Sequence, residues 1–169
     1  MPDPVSIEDA APSDVPAIAA ILNHAILHTT AVWYDDIRTP AEMEAWFELK
    51  RMRGYPVLVA RKDGQVLGYA SYGPFRAFSG YRHTMELSVY VAAEARRSGA
   101  GRRLLAALIE RARANGVHVL VGGIDADNEA SIGLHAALGF QEVARMPQIG
   151  RKFDRWLTLV FMQKLLNEP

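Results

Sequence analysis

The sequence predicts a mixed α/β fold, with a central twisted sheet of mixed strand direction and helices on both of its faces. Three observations carry that prediction. The middle of the chain holds β-rich runs of period two joined by a tight turn signal. The second half alternates strand-like runs with stretches of helical period. No linker-like stretch or fixed repeat divides the 169 residues, so a single domain over 1–169 is expected. Hairpins followed by strand–helix–strand–helix–strand require a sheet that is antiparallel in one part and parallel in another.

The elements follow in order. Residues 5–10 read as a short strand, and residues 11–14 as a turn in which Ser13 is the expected N-cap of the first helix. That helix would bury Val15, Ile18, Ile21, Leu22 and Ile26. A second helix begins at Thr39-Pro40-Ala41-Glu42, where Thr39 caps, Pro40 fits the first turn and Glu42 completes a capping box; Gly54 is its stop. Residues 55–60 and 66–72 are strands around a Lys62-Asp63-Gly64-Gln65 hairpin. A strand over 84–91 precedes a helix over 102–115 whose Leu104, Leu105, Leu108, Ile109 and Ala112 fall at helical spacing, with Gly116 ending it. Residues 117–124 read as a buried strand, 129–138 as a short helix, and 141–144 and 156–162 as closing strands.

Composition narrows the function classes. Half the residues are apolar, as in a globular protein with a proper core. Nineteen basic residues balance nineteen acidic ones, which argues against a chain built to hold nucleic acid. The absence of cysteine excludes disulfides, thiolate metal sites and Cys nucleophiles. His24 and His28 have i, i+4 spacing but no evident third ligand, so no metal site is expected. The first residues have neither a basic nor an apolar leader region, and no apolar run approaches the roughly 20 residues that span a bilayer. A cytoplasmic protein without membrane contact is the expectation.

The chemistry concentrates after the strand Ser88-Val89-Tyr90-Val91, in Arg96-Arg97-Ser98-Gly99-Ala100-Gly101-Arg102-Arg103. A Gly-containing loop that opens a helix offers unpaired backbone N–H groups, the positive end of the helix dipole and full arginine charges, which together make a pyrophosphate cradle. Gly99 and Gly101 would let the backbone approach the phosphates closely. The dinucleotide fingerprint is absent, because its third glycine falls on Leu104, and no Gly-Lys-Ser/Thr of a P-loop follows.

Arg96-x-x-Gly99-x-Gly101 after a strand, with Asn128-x-x-Ser131 and Leu138-Gly139-Phe140 beyond it, resembles the paired signatures of the GNAT acetyltransferase superfamily. Gly68-Tyr69-Ala70-Ser71-Tyr72-Gly73, Met146-Pro147-Gln148 and Lys152-Phe153-x-Arg155-Trp156-Leu157 are similar to one branch of it, the phosphinothricin and methionine sulfone or sulfoximine N-acetyltransferases. The resemblance implies the GNAT fold, acetyl-CoA as cofactor, and direct acetyl transfer to the α-amine of a small amino acid analogue.

It also implies residue roles. Backbone groups of Val89, Tyr90 and Val91 would hold pantetheine, Arg96, Arg97, Ser98, Gly99, Ala100, Gly101 and Arg102 the pyrophosphate, and Asn128 a pantetheine amide. Glu86 would be the general base that deprotonates the amine, and a strand amide near Val89 would stabilise the oxyanion. His135 stands where many members carry a Tyr and would protonate the leaving thiolate as an imidazolium. Arg76 and Arg82 would clamp the acceptor carboxylate, with Ala77, Phe78, Leu87 and Ser88 beside them, and Phe75, Phe78, Tyr72 and Trp33 would wall the pocket. The branch reads Glu-His-Ser-Val-Tyr-Val where this chain has Glu86-Leu87-Ser88-Val89-Tyr90-Val91, and a small residue where it has Arg97. A homodimer is implied too, with Lys152 among the groups of residues 146–156 that would reach a neighbour's pocket. Other acceptors (a polyamine, an aminoglycoside, a protein N-terminus) and a non-catalytic acyl-CoA-binding domain are the alternatives.

Overall fold

The β-rich runs of the sequence build one seven-stranded sheet. A computed structural model describes residues 4–167 of the chain. The strands are β1 (Ser6–Asp9), β2 (Val57–Lys62), β3 (Gln65–Pro74), β4 (Thr84–Val91), β5 (Val119–Asp125), β6 (Gln141–Lys152) and β7 (Arg155–Leu165), in the spatial order β1-β2-β3-β4-β5-β7-β6. β4 and β5 are the one parallel pair among them; the others are antiparallel. The mixed sheet is as expected, since a parallel pair needs the crossover helix α3 (Ala100–Ala114) between its strands.

Helices α1 (Val15–His28) and α2 (Pro40–Arg53) cover one face, where Val15, Ile18, Ile21 and Met43 pack with Val57, Val59 and Tyr69. On the other face lies α3, and Leu104, Leu105 and Leu108 are fully buried against Leu58, Ala70, Leu87 and Leu120. Leu134 and Leu138, in and just after α4 (Glu129–Ala137), pack on that same cluster.

Helix α2 starts as its sequence dictates: the Glu42 amide donates to the Thr39 hydroxyl at 3.2 Å and the Thr39 amide to the Glu42 carboxylate at 2.8 Å. Gly54 ends it at φ +69°, a left-handed conformation suited to glycine. Ser13 is not the cap of α1. Residues Pro12–Asp14 form a 3-10 turn and Asp14 occupies the cap position. Its buried carboxylate accepts from the Ala11 amide at 2.9 Å and from Arg61 Nη2 at 2.9 and 3.0 Å, so the turn is tied to β2.

Strands β6 and β7 run much longer than the sequence suggests. Pro147 and a register shift between Met146 and Gly150 interrupt the period-two pattern of β6. Phe153 and Asp154 make the two-residue turn at φ +51° and +57°, without the glycine that marks such turns.

Candidate active site

The β4–β5 ladder runs from Thr84 opposite Val119 to Leu87 opposite Gly122 and ends there. Beyond that point β4 stays paired with β3 as far as Val91, and β5 with β7 as far as Asp125. Each strand therefore keeps its outer partner while losing the inner one, and Ser88–Val91 presents an open backbone edge to a cleft. A cavity of about 660 Å³ opens there, within the range of small-molecule sites. Glu86, Ser88 and Tyr90 alternate along the face of β4 toward α1 and α2, and all three line it.

Glu86 is half-buried, and burial pushes its carboxyl above the usual carboxylate range. Among the described residues no cation or hydrogen-bond donor engages the carboxylate to offset this. Gly123 of β5 lies beside it, the place of its missing Cβ 3.5 Å from Glu86 Oε1, an ordinary packing distance. The Tyr90 phenol, pushed up to about 12 by burial, remains protonated.

Helix α4 supplies the opposite wall. Asn128 caps it, its Oδ1 accepting from the Ser131 amide at 3.1 Å, which leaves Nδ2 for a ligand. His135 is buried; its Nδ1 lies 2.7 Å from the Ser131 carbonyl, which assigns the proton to Nδ1. Nε2 is buried without a partner among the described residues, and it faces Gly122, where a Cβ would approach to 3.0 Å. Burial lowers the His135 pKa, so the imidazolium that acid catalysis needs is disfavoured and the resting ring presents a lone pair at Nε2.

Past the end of β4, Gly99 precedes α3 at φ +83°, and Arg97 is also left-handed at +66°; residues 96–102 do not line the cavity itself. Arg96, Arg97, Ser98 and Arg102 are exposed around the helix N-terminus. Ser98 Oγ accepts from the Ala100 amide at 3.3 Å, whereas the Gly101 and Arg102 amides lie in the first turn, where no intrahelical acceptor exists. The place of the missing Cβ of Gly101 lies 3.4 Å from Val91 and 3.6 Å from Leu134, ordinary packing distances that put the first turn of α3 beside β4 and α4.

The cations that line the cavity are Arg38 and Lys50. Lys50 donates to the Tyr72 carbonyl at 2.7 Å, and burial lowers it to about 8. Arg38 stacks over the Tyr34 ring, 4.2 Å from its centroid. Arg76, Ala77, Phe78 and Arg82 instead occupy an exposed loop after β3 that does not line the cavity. Of the four expected aromatic walls only Trp33 lines it. Tyr72 is buried in the core, its hydroxyl accepting from Asn115 at 2.8 Å; Phe75 packs on Phe161, and Phe78 is exposed. Leu87, the departure from the branch pattern, is buried in the α3-side core while bordering the cavity.

The family model described as Acetyltransferase (GNAT) family matches residues 22–140. The chain belongs to the GNAT acetyltransferase family. Over 163 residues it is 54% identical to an L-methionine sulfoximine/L-methionine sulfone acetyltransferase of Pseudomonas aeruginosa, covering 96% of this chain and 95% of that protein. It is 51% identical over 164 residues to the L-amino acid N-acyltransferase MnaT of Escherichia coli, covering 97% and 95%. The structure of the acetyltransferase yncA from Salmonella typhimurium, solved with acetyl-CoA, superposes with a TM-score of 0.97 at 48% identity, covering 99% of this chain and 96% of that one.

In this GNAT acetyltransferase the residues present fit acetyl-CoA. The open β4 edge suits the amide-bearing pantetheine arm, and the α3 N-terminus with Arg96, Arg97 and Arg102 suits a pyrophosphate. Sequence reasoning named Trp33 but missed Arg38, Lys50 and the rest of the irregular segment 29–38 between α1 and α2, of which Ala31, Val32 and Tyr34 also line the cavity. That segment has no periodicity to read, and its partners lie far away in the chain.

Proposed function

We propose that this enzyme transfers an acetyl group from acetyl-CoA directly to the α-amine of a small L-amino acid analogue: methionine sulfone, methionine sulfoximine or phosphinothricin. One observation carries the reading. Glu86, a carboxylate without a partner and with a raised pKa, stands in the cavity at the point where β4 leaves β5. A free α-amine is largely protonated at neutral pH and must lose a proton to become a nucleophile. A carboxylate raised toward neutrality is suited to take it, directly or through one water. Acetyl-CoA supplies the activated acyl thioester.

For His135 to protonate the departing sulfur, its Nε2, enclosed against Gly122, must first gain a proton and access to the cavity. The backbone amides of the open β4 edge near Val89 are donors already in place for negative charge. Arg38 and Lys50, the cations within the cavity, assume the carboxylate-holding role that the sequence assigned to Arg76 and Arg82. The cavity acids Glu42 and Asp125 are occupied, by the α2 cap and by Thr30, which leaves Glu86 as the free carboxylate among the described lining residues, opposite the cations Arg38 and Lys50; that balance suits an amino acid zwitterion better than a polyamine.

We further propose one domain over 1–169 that acts in the cytoplasm as a homodimer. Among the described residues no helix is long and apolar enough to cross a membrane. Val143, Met146, Ile149, Phe153 and Trp156 expose an apolar surface on the β6–β7 hairpin, which suits a second copy of the chain.

A thiol-release assay with acetyl-CoA over a panel of amines tests the reading. Turnover is expected with methionine sulfone, methionine sulfoximine or phosphinothricin, and far less with spermidine or an aminoglycoside. Turnover confined to the latter two would discard the substrate class. Tight acetyl-CoA binding with no turnover on any amine would favour a non-catalytic acyl-CoA-binding domain.

A further inference from the structure

Residues 29–38 cross the mouth of the cavity as an irregular strap, held from several directions. Lys152, near the tip of β6, is buried, and its Nζ donates to the carbonyls of Thr29 at 2.7 Å and Val32 at 2.6 Å. It therefore points into its own chain, and not toward a neighbour's pocket as the sequence suggested. Two residues earlier, Gly150 lies under the Trp33 ring, and a Cβ there would fall 2.3 Å from two ring carbons. Trp33 Nε1 donates to the Thr30 carbonyl at 2.9 Å, and the Thr30 hydroxyl donates to the buried carboxylate of Asp125 on β5. At the far end Asn23 holds Arg38 through a reciprocal pair of bonds at 2.8 and 3.0 Å.

An ammonium withdrawn from water loses hydration that only well-placed acceptors replace. Here both acceptors are strap carbonyls, so Lys152 and the strap's position are energetically linked. The strap's inner side, Val32 through Tyr34, is cavity wall, and Trp33 rests on the glycine of the same strand that carries Lys152. A loop without regular structure would otherwise be the most mobile wall of the site.

We propose that Lys152 is a positioning residue for acceptor binding: with Gly150 it docks the 29–38 strap so that Trp33 and Tyr34 stand as a fixed wall of the acceptor pocket. The proposal rests on the functional reading above in taking this cavity as the acceptor's. It assigns a specificity role to β6, a strand that bears none of the expected catalytic or cofactor residues.

The test compares the full-length parent with Lys152→Met and Gly150→Ala, by steady-state kinetics with methionine sulfone, acetyl-CoA titration calorimetry and amide hydrogen exchange over 29–38. Both variants are expected to raise the acceptor KM by about tenfold or more, with kcat and acetyl-CoA affinity within about threefold of the parent. Exchange in the strap should rise in Lys152→Met. An unchanged acceptor KM, despite faster exchange in the strap, would overturn the proposal. So would a matching loss of acetyl-CoA affinity in both variants, which marks general disruption. If Lys152→Met does not fold, Gly150→Ala carries the same comparison. A parent that turns over none of methionine sulfone, methionine sulfoximine and phosphinothricin defeats the functional reading instead, and the strap is then read with whichever amine is acetylated and by exchange.

Discussion

Glu86→Gln is expected to lower kcat/KM for the acceptor by about 10²- to 10⁴-fold, the range for loss of a general base. The substitution keeps the shape and hydrogen-bonding size of the side chain but cannot take a proton. Acetyl-CoA binding should stay within about twofold, because the open edge of β4 and the N-terminus of α3 are untouched. The pH dependence has a definite sign. Burial raises the Glu86 pKa, so the base is lost to protonation at a higher pH than an ordinary carboxylate would be. In the parent, kcat/KM therefore falls as pH drops through that raised value. In the Gln variant this acid limb should vanish from the residual activity. Steady-state thiol release across pH 5–9, with calorimetry for acetyl-CoA, checks both parts. A variant that turns over like the parent would exclude Glu86 as base.

The second large effect is on assembly. Trp156 is 60% exposed and stacks under the Arg151 guanidinium at 5.1 Å, beside exposed Phe153, Ile149 and Met146 on the β6–β7 hairpin. Tryptophan and arginine are the residues that most often anchor interfaces. Trp156→Asp would place a carboxylate in this exposed apolar face and is expected to weaken the proposed dimer by about 2 kcal/mol or more, roughly thirtyfold in Kd. Light scattering at micromolar concentration should report a dimer for the parent and mainly monomer for the variant. Because Trp156 contributes little to the core of its own chain, the melting temperature of the monomer should barely move. A parent that is monomeric at that concentration would refute the dimer.

Much of the fold was legible because its signals are local. The Thr39-Pro40-Ala41-Glu42 cap, the Asp63-Gly64 turn, the 84–91 strand and the leucine spacing of α3 each depend on a few adjacent residues, and the structure bears them out. Ser13 failed as a cap because the buried Asp14 gains a tertiary partner, Arg61, that no local pattern reveals. The β6–β7 hairpin was underestimated because Pro147, a bulge and a glycine-free turn hide its period.

The site divides in the same way. Glu86, Asn128 and His135 come together in one cavity, drawn from β4, the start of α4 and its last turn. On the acceptor side the placement differs from the expectation: Arg76 and Arg82 lie close to Glu86 in sequence, but the exposed loop carrying them does not line this cavity. Lys50 and Arg38 reach the cavity from elements separated from Glu86 by whole strands. Lys152 binds carbonyls 120 and 123 residues away, a relation that no spacing rule expresses.

The most direct measurement is a crystal structure of the Glu86→Gln variant with acetyl-CoA and L-methionine sulfone. The account predicts the acceptor amine within hydrogen-bond reach of residue 86, directly or through one water, with its side chain against Trp33 and its carboxylate toward Arg38 or Lys50. An acceptor bound at the 75–83 loop, with its amine remote from residue 86, would contradict it.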